Sequence, residues 1–293
     1  MRAPVENMPD RYAVIGHPVS HSKSPLIQNA FAEQTGEDMV YGIVEAPLDG
    51  FRSAVEAFRK AGGKGMNVTA PFKLEAFELA TNPSERARLA GACNALKFDG
   101  ERIFAENFDG VGMVKDITRN LGFPVRGHRV LVLGAGGAAR GVVQPLLAET
   151  PALLAVANRT SGKAEALRQL FAGVGTLEAG GLDDFVDTAF DIVINATSAS
   201  LQGETPAVPA SAFRKGGLAY EMVYGKGLTP FLALAQASGA GRLADGVGML
   251  VEQAAEGFEW WRGVRPDTRG VIERLAVPFT TERRRRAGCK ENR

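Results

Sequence analysis

Cysteine is almost absent from this sequence, which contains two, Cys93 and Cys289, among 293 residues. Two cysteines cannot form a disulfide framework, and the apolar context of Cys93, LAGACNAL, is typical of a small core residue. No apolar run approaches the roughly 20 residues of a membrane helix. The first residues, MRAPVENMPD, lack the apolar segment of a signal peptide. We therefore expect a cytoplasmic protein without a membrane partner.

An excess of charge is also absent, since Lys and Arg total 34 and Asp and Glu total 33. This balance does not favour nucleic acid or anionic membranes as partners. The one charge run, four arginines at 283–286, belongs to a polar carboxyl-terminal segment (281–293) and predicts a solvated tail. The three histidines, at positions 17, 21 and 128, have no ligand spacing, so we expect no metal site. A small molecule is the expected partner, for a monomer or a homodimer.

The order of strand and helix patterns indicates two α/β domains. A chain of 293 residues is long for one hydrophobic core. Strand and helix patterns alternate over residues 1–107 and again over residues 108–246, which predicts a parallel sheet covered on both faces in each part. Within the first part, ALKFDGERIFAENFDG predicts a hairpin that turns at Asp99-Gly100. From periodicity alone, the apolar helix in the last segment (247–280) could pack on either domain.

A glycine-rich turn in the second part predicts a dinucleotide site. The strand at 130–133 enters GAGGAARG, in which Gly134, Gly136 and Ala139 match the pattern G-x-G-x-x-A. The first glycine permits a tight turn, the second allows close approach of a pyrophosphate, and Ala139 permits close packing of helix on strand. Amide groups at the start of the helix then face the anion. The loop residues expected to contact the cofactor are Gly134, Ala135, Gly136, Gly137 and Ala138.

The end of the next strand favours NADP over NAD. An NAD site has an Asp or Glu at this point to accept a hydrogen bond from the ribose 2′-hydroxyl. This chain instead has ANRTSGK, with Asn158, Arg159, Thr160 and Lys163 as the candidate contacts. A guanidinium binds a 2′-phosphate through two parallel hydrogen bonds, and a lysine adds a point charge. An unpaired surface cation is the alternative interpretation of Arg159 alone.

Polar residues follow two strands of the first part and predict a substrate pocket. Ser22 and Ser24 come after the first strand, and Asn67, Thr69 and Lys73 come after the third. Ligands of open α/β sheets bind outside the carboxyl ends of the strands. Hydroxyl, amide and ammonium groups at these ends suit a polyhydroxylated acid. Taken singly, each residue also has a structural interpretation, as a helix cap, a turn residue or a solvated lysine.

Taken together, the motifs resemble those of the shikimate dehydrogenase family, from Tyr12 to about Pro278. The segments that carry the resemblance are HSKSP (21–25), GGKGMNVTAPFK (62–73), AGACNAL (90–96), NFDGVG (107–112), GAGGAARG (134–141), NRTSGKA (158–164), INATSAS (194–200), YGKGLTPFL (224–232) and ADGVGMLVEQA (244–254). The resemblance implies a substrate-binding catalytic domain, an NADP-binding Rossmann domain and a last helix that returns to the first domain. It also implies reversible, NADP-linked reduction of 3-dehydroshikimate to shikimate, a step toward aromatic amino acids.

The resemblance assigns a role to individual residues. Lys73 and Asp109 correspond to the catalytic acid–base pair of the family. The residues expected to contact substrate are Ser22 and Ser24 (carboxylate), Asn67 and Thr69 (ring hydroxyls), Lys73, Asn94, Asp109, Tyr224 and Gln253. Further residues expected near the cofactor are Glu85, Met222 and Gly246.

Three positions depart from the usual family residues, and several related functions stay open. Phe108 stands where the family usually has Thr, His17 where it often has Asn, and Cys93 where it commonly has Val. Phe108 bears on the packing around Asp109 and on substrate selectivity. The alternatives are a quinate/shikimate dehydrogenase that prefers NAD, an aminoshikimate dehydrogenase, or a non-catalytic NADP-binding redox sensor. A redox sensor should have lost Lys73 or Asp109, and both are present.

Overall fold

The computed structural model describes residues 8–279, and its first part is built on a six-stranded sheet. The predicted tail (281–293), with its arginine run and Cys289, lies outside the described residues. The strands are β1 (Asp10–Gly16), β2 (Met39–Glu45), β3 (Gly63–Val68), β4 (Asn82–Pro83), β5 (Ala95–Asp99) and β6 (Arg102–Glu106). The helices are α1 (Ser24–Thr35), α2 (Phe51–Lys60), α3 (Lys73–Leu79) and α4 (Glu85–Ala90).

The first sheet has the order β2-β1-β3-β5-β6-β4 and is mixed. β1 pairs in parallel with β2 and β3, as expected for strands joined through helices. β5 and β6 form the predicted hairpin, and β5 pairs antiparallel with β3. The central strands β1 and β3 therefore end side by side, which places the residues after each strand at one edge of the sheet.

The second part is an all-parallel, doubly wound sheet of the order β12-β11-β10-β7-β8-β9. It is preceded by α5 (Asp109–Lys115), which continues as a π-helical turn (Asp116–Asn120). Its strands are β7 (Arg129–Leu133), β8 (Leu153–Ala157), β9 (Glu178–Gly180), β10 (Phe190–Asn195), β11 (Phe213–Glu221) and β12 (Arg242–Ala244). Its helices are α6 (Gly137–Ala148), α7 (Ser161–Leu170) and α8 (Pro230–Ala237), with 3₁₀ turns at Asp183–Phe185, Ala199–Gln202 and Ala210–Ala212.

Apolar residues fill both faces of the second sheet, as a parallel sheet requires. In β7, Val130 and Val132 pack in one buried cluster with Val143 of α6. The intervening Leu131 joins the opposite cluster, which contains Phe231 of α8. Strand order reverses between β10 and β7, so the crevice outside their carboxyl ends is the place where this type of sheet binds ligands.

Two further helices complete the chain, α9 (Val247–Arg262) and α10 (Arg269–Leu275). α9 packs against the first sheet. The periodicity of the sequence alone did not predict which domain this helix would contact. Trp261 stacks obliquely on Tyr12 at a centroid distance of 4.8 Å, and its indole N–H donates to Leu96 O at 3.1 Å. Arg262 forms ion pairs with Asp10 and Glu37. Within residues 8–279, no helix is both long and apolar enough to cross a membrane.

α5 is wedged between α6 and α9 at the junction of the two sheets. A Cβ atom added at Gly112 would lie 2.6 Å from Gln253 N, and one at Gly110 would collide with Gly141 O. These backbones approach so closely because the contact residues on α5 have no side chains. The predicted division at 107/108 falls between β6 and α5. Asp109, the first residue of α5, is thereby held at the cleft between the sheets.

Candidate active site

The cleft contains a cavity of about 180 Å³ where the ends of β1 and β3 face α5 and α9. All nine residues predicted to contact substrate line this cavity, together with Met222 and Gly246 from the second part of the chain. The lining residues are Val14, Ser22, Ser24, Asn67, Val68, Thr69, Lys73, Asn94, Asp109, Met222, Tyr224, Gly246, Met249, Leu250 and Gln253. The structure thus brings together residues separated by more than two hundred positions in the sequence, although their individual roles stay predictions.

Ser22 and Ser24 lie at the start of α1, and neither of them occupies its N-cap position. The N-cap position belongs to Lys23, and no side chain makes a capping hydrogen bond there. The two hydroxyl oxygens are 3.2 Å apart, and Ser22 Oγ accepts the backbone N–H of Ser24, also at 3.2 Å. Both hydroxyls line the cavity, where paired donors suit a carboxylate.

Asn67 is held in place by a tyrosine that the sequence motifs did not single out. Asn67 is buried on β3, and Tyr41 on β2 donates its hydroxyl to Asn67 Oδ1 at 2.6 Å. Asn67 Nδ2 in turn donates to Asn94 O at 3.2 Å. Burial raises the pKa of Tyr41 well above its ordinary value, so the phenol remains a donor at neutral pH. In the sequence, Tyr41 has only the pattern of a core strand residue.

Lys73 and Asp109 form an ion pair within the cavity. Lys73 Nζ lies 2.6 Å from Asp109 Oδ2, and the two side chains are 35% and 21% exposed. Asn94 Nδ2 donates to Asp109 Oδ1 at 2.8 Å and to Gln253 Oε1 at 3.1 Å. The carboxylate is therefore oriented from two sides, while the ammonium keeps donors free toward the cavity. Such a pair can give a proton to a substrate oxygen or remove one.

Phe108 lies behind this pair and outside the lining of the cavity. Its backbone N–H donates to Asn94 Oδ1 at 2.9 Å. Its ring contacts the guanidinium of Arg86 at 5.7 Å and the ring of Trp260 edge-on, also at 5.7 Å. The large ring at this position therefore contributes packing under Asp109 rather than the shape of the cavity wall.

The two other departures from the family pattern also lie outside the cavity lining. His17 is exposed, with Nδ1 4.0 Å from Glu45 Oε1. Cys93 is fully buried, and burial raises the pKa of its thiol to about 12. The structure therefore places Cys93 in the core, as its sequence context predicts.

The glycine loop between β7 and α6 has the tight turn and the open space that the G-x-G-x-x-A pattern predicts. Gly134 has a φ of +100°, and a Cβ there would lie 3.1 Å from Thr197 Cγ2. By contrast, a Cβ at Gly136 or Gly137 would meet no protein atom within 4 Å, so the space above the loop is open. α6 begins at Gly137 without a side-chain cap, which leaves the amide groups of its first turn to a ligand. Ala139 is fully buried under the loop.

The turn between β8 and α7 presents the cations predicted to recognise a 2′-phosphate. Arg159 and Lys163 are exposed, and neither forms an ion pair within residues 8–279. Asn158 Nδ2 donates to Thr160 O at 2.9 Å and shapes the turn. Glu85 is exposed at the start of α4, outside the cavity lining, on a helix that packs against α6.

Sequence-family models match the chain in three segments. The descriptions are shikimate dehydrogenase substrate binding domain (14–96), shikimate / quinate 5-dehydrogenase (116–211) and shikimate 5'-dehydrogenase C-terminal domain (246–276). A shikimate dehydrogenase (NADP(+)) of Nitrosospira multiformis is 56% identical over 268 residues, which is 92% of this chain and 98% of that protein. The chain belongs to the shikimate dehydrogenase family. The family predicted from the motifs is confirmed.

Solved structures of similar proteins share the fold. An Ael1 enzyme from Pseudomonas putida is 56% identical, with a TM-score of 0.89 over 92% of this chain and all of that one (100%). The shikimate 5-dehydrogenase of Thermus thermophilus, solved with NADP(H) and shikimate, is 33% identical. Its TM-score is 0.80 over 90% of this chain and 97% of that one. The two-domain α/β fold predicted from the sequence is confirmed.

Proposed function

We propose that this protein is an NADP-dependent shikimate dehydrogenase that interconverts 3-dehydroshikimate and shikimate in aromatic amino-acid biosynthesis. The observation that carries the proposal is the Lys73–Asp109 pair, at 2.6 Å, in a cavity lined by Ser22, Ser24 and Asn67. The family supports it, since relatives that match nearly the whole chain are named shikimate dehydrogenase (NADP(+)).

Lys73 is assigned the proton transfer at the 3-hydroxyl of shikimate. Oxidation of that hydroxyl removes a hydride from carbon and a proton from oxygen, and NADP, when bound, supplies the hydride acceptor. During reduction the Lys73 ammonium gives a proton to the carbonyl oxygen and becomes a neutral amine. During oxidation the neutral amine takes the hydroxyl proton and becomes the ammonium again. Asp109 holds the lysine through Oδ2 and is itself held by Asn94 through Oδ1. The pair thereby stays aimed at one oxygen of the substrate.

The remaining cavity residues orient the substrate. Ser22 and Ser24 donate to its carboxylate from the loop before α1. Asn67 and Thr69 take ring hydroxyls at the end of β3, and Asn94 adds a contact from the start of the neighbouring strand. Tyr224 and Gln253 add contacts from the second part of the chain and from α9. Tyr41 donates to Oδ1 of Asn67 and Asn94 O accepts from its Nδ2, so both polar atoms of this side chain are held in place. This set of donors and acceptors suits a ring that carries several hydroxyls and one carboxylate.

NADP binding is assigned to the second sheet. The glycine loop (134–138) and the first turn of α6 hold the pyrophosphate, while Asn158, Arg159, Thr160 and Lys163 surround the 2′-phosphate. Met222 and Gly246 are assigned to the nicotinamide, which their position in the lining of the cavity supports. Glu85 is assigned a contact from α4, the helix of the first part that packs against α6.

An assay of the purified protein with two substrates and two cofactors tests the proposal. Shikimate and quinate are each supplied with NADP or with NAD, and formation of reduced cofactor is followed. We expect efficient turnover of shikimate with NADP. With NAD the efficiency should be at least about tenfold lower, because NAD lacks the 2′-phosphate that the cationic turn would bind. Equal efficiency with NAD, preference for quinate, or cofactor binding without turnover would contradict it.

The proposal includes a cytoplasmic enzyme that acts as a monomer or a homodimer. All nine residues proposed to contact substrate belong to one chain, so a monomer can form the substrate pocket. Light scattering during size-exclusion chromatography measures the mass of the particle in solution. A particle larger than two chains would contradict this part of the proposal.

A further inference from the structure

Glu221 is a fully buried carboxylate that the motifs and the proposed mechanism leave without a role. It is the last residue of β11 and is 0% exposed. It lies beside Asn195, its register partner at the end of β10. Both residues therefore lie at the carboxyl ends of the strands, next to the point where the strand order reverses between β10 and β7. A buried carboxylate costs free energy unless its oxygens are well bonded.

Neutral hydrogen-bond donors surround the Glu221 carboxylate. Asn195 Nδ2 lies 3.1 Å from each of its oxygens, and the Thr229 hydroxyl donates at 3.1 Å. The Ser200 hydroxyl and the backbone N–H of Val223 also donate to it. Among the ion pairs of residues 8–279, none includes Glu221. A carboxylate is an acceptor only and satisfies all these donors, whereas an amide would turn an N–H₂ group toward some of them.

These bonds join two loops that border the dinucleotide crevice. On one side, Asn195 Oδ1 accepts the backbone N–H of Thr197 at 3.1 Å and its hydroxyl at 2.7 Å. Thr197 in turn packs against Gly134, where an added Cβ would lie 3.1 Å from its Cγ2. On the other side, Glu221 directly precedes Met222, which lines the cavity. One carboxylate thus ties the wall behind the glycine loop to the strand end that reaches the cavity.

We propose that Glu221 is a positioning residue for the dinucleotide: it holds the 196–203 loop and the 222–229 loop at the separation that NADP(H) binding requires. Glu221 does not touch the cofactor in this role and acts through Asn195, Ser200, Thr229 and the backbone of Val223. The inference rests on the proposed function, because it assumes that the crevice binds NADP(H). The inference goes beyond that function because it states that one buried carboxylate, Glu221, determines the shape of the crevice.

The test is the affinity of the substituted protein for NADPH, measured by titration without substrate. Glu221→Gln keeps the size of the side chain but replaces one acceptor oxygen by a donor. We expect its dissociation constant for NADPH to rise about tenfold or more, which corresponds to roughly 1.4 kcal/mol. Glu221→Asp keeps an acceptor-only group and should lose less affinity. Glu204→Gln makes the same chemical change at an exposed site of the same part of the chain and should leave affinity unchanged.

Two milder variants keep the test valid if Glu221→Gln does not fold. Ser200→Ala and Thr229→Val each remove one donor to the carboxylate, and each should raise the NADPH dissociation constant while the KM for shikimate changes less. Normal NADPH binding by a destabilised Glu221→Gln protein would mean that Glu221 only supports the fold, and would overturn the inference. Absence of NADPH binding by the unsubstituted protein would instead overturn the proposed function, and this role of Glu221 with it.

Discussion

Replacement of Lys73 by alanine removes the group to which proton transfer is assigned. We expect kcat to fall roughly 10²–10⁴-fold, the usual contribution of a positioned acid–base group, or about 2.7–5.5 kcal/mol of activation free energy. Affinity for shikimate should change far less, because the proposed carboxylate contacts are those of Ser22 and Ser24. The loss should therefore appear in kcat and not in KM.

The structure also indicates that Lys73→Ala leaves the fold intact. Lys73 and Asp109 are 35% and 21% exposed, so water can replace part of the lost contact. Asp109 keeps its bond from Asn94 Nδ2 at 2.8 Å and so keeps its position. Pairs of this exposure contribute about 1 kcal/mol or less to stability. A change in melting temperature of more than a few degrees would mean that the loss of activity reports folding.

Steady-state kinetics with shikimate and NADP provide the assay, with Lys64→Ala as the matched control. Lys64 lies on β3 of the same sheet, is 55% exposed and has only a 4.0 Å contact with Asp10. Its removal should leave kcat and KM unchanged. A Lys73→Ala protein with near-normal kcat would refute the assignment of proton transfer to Lys73.

The remaining predictions concern the carboxylate contacts, the cofactor and the buried thiol. Replacing Ser22 and Ser24 together by alanine should raise the KM for shikimate at least roughly tenfold, because two bonds to a carboxylate at about 1.5–3 kcal/mol each are lost. Arg159→Ala should raise the KM for NADP about tenfold or more and leave the KM for NAD almost unchanged, with a larger effect at low salt. Cys93 should resist alkylation in the folded protein, as peptide mapping would show, because burial raises its pKa to about 12. This folded-state pKa exceeds the ordinary 9.0, so the unfolded thiol loses its proton first as the pH rises. The free energy of unfolding should therefore fall between pH 9 and 12 by up to about 1.4 kcal/mol per pH unit. This decrease should be smaller in Cys93→Val, which has no thiol.

Each of these predictions has a distinct contrary outcome. A serine variant that lost only thermal stability would make the serines structural, and Ser53→Ala, at an exposed site, is its control. If Arg159→Ala weakened binding of NAD and NADP equally, the arginine would not recognise the 2′-phosphate. As a control, Arg168→Ala on α7, the helix that follows this turn, should affect neither. Rapid labelling of Cys93 under native conditions would contradict its burial.

The fold was largely predictable because its signals are local. The alternating strand and helix patterns, the hairpin turn at Asp99-Gly100 and the glycine loop at 134–141 each occupy one continuous segment. The packing of α9 on the first sheet has no such local signal, because it depends on contacts between residues far apart in the sequence, such as Trp261 and Tyr12. Periodicity shows that this helix has an apolar face but not what that face covers.

The candidate site was predictable where a motif carries the residue, and not where a distant neighbour defines it. Lys73 and Asp109 lie in recognisable segments, and the structure places their side chains in contact. Tyr41 and Glu221 act on other side chains through contacts with residues of separate strands, and each has an ordinary strand pattern in the sequence. The sequence suggested that Phe108 bears on substrate selectivity. Its ring instead lies outside the cavity lining and contacts the guanidinium of Arg86.

Hydride transfer itself is the central claim, and labelled shikimate tests it most directly. Shikimate that carries deuterium on the carbon of its 3-hydroxyl is incubated with NADP and the purified protein. The reduced cofactor is then analysed by NMR and mass spectrometry. We predict that every NADPH formed carries the deuterium on its nicotinamide ring, with 3-dehydroshikimate as the other product. Unlabelled NADPH, or no NADPH at all, would contradict the account.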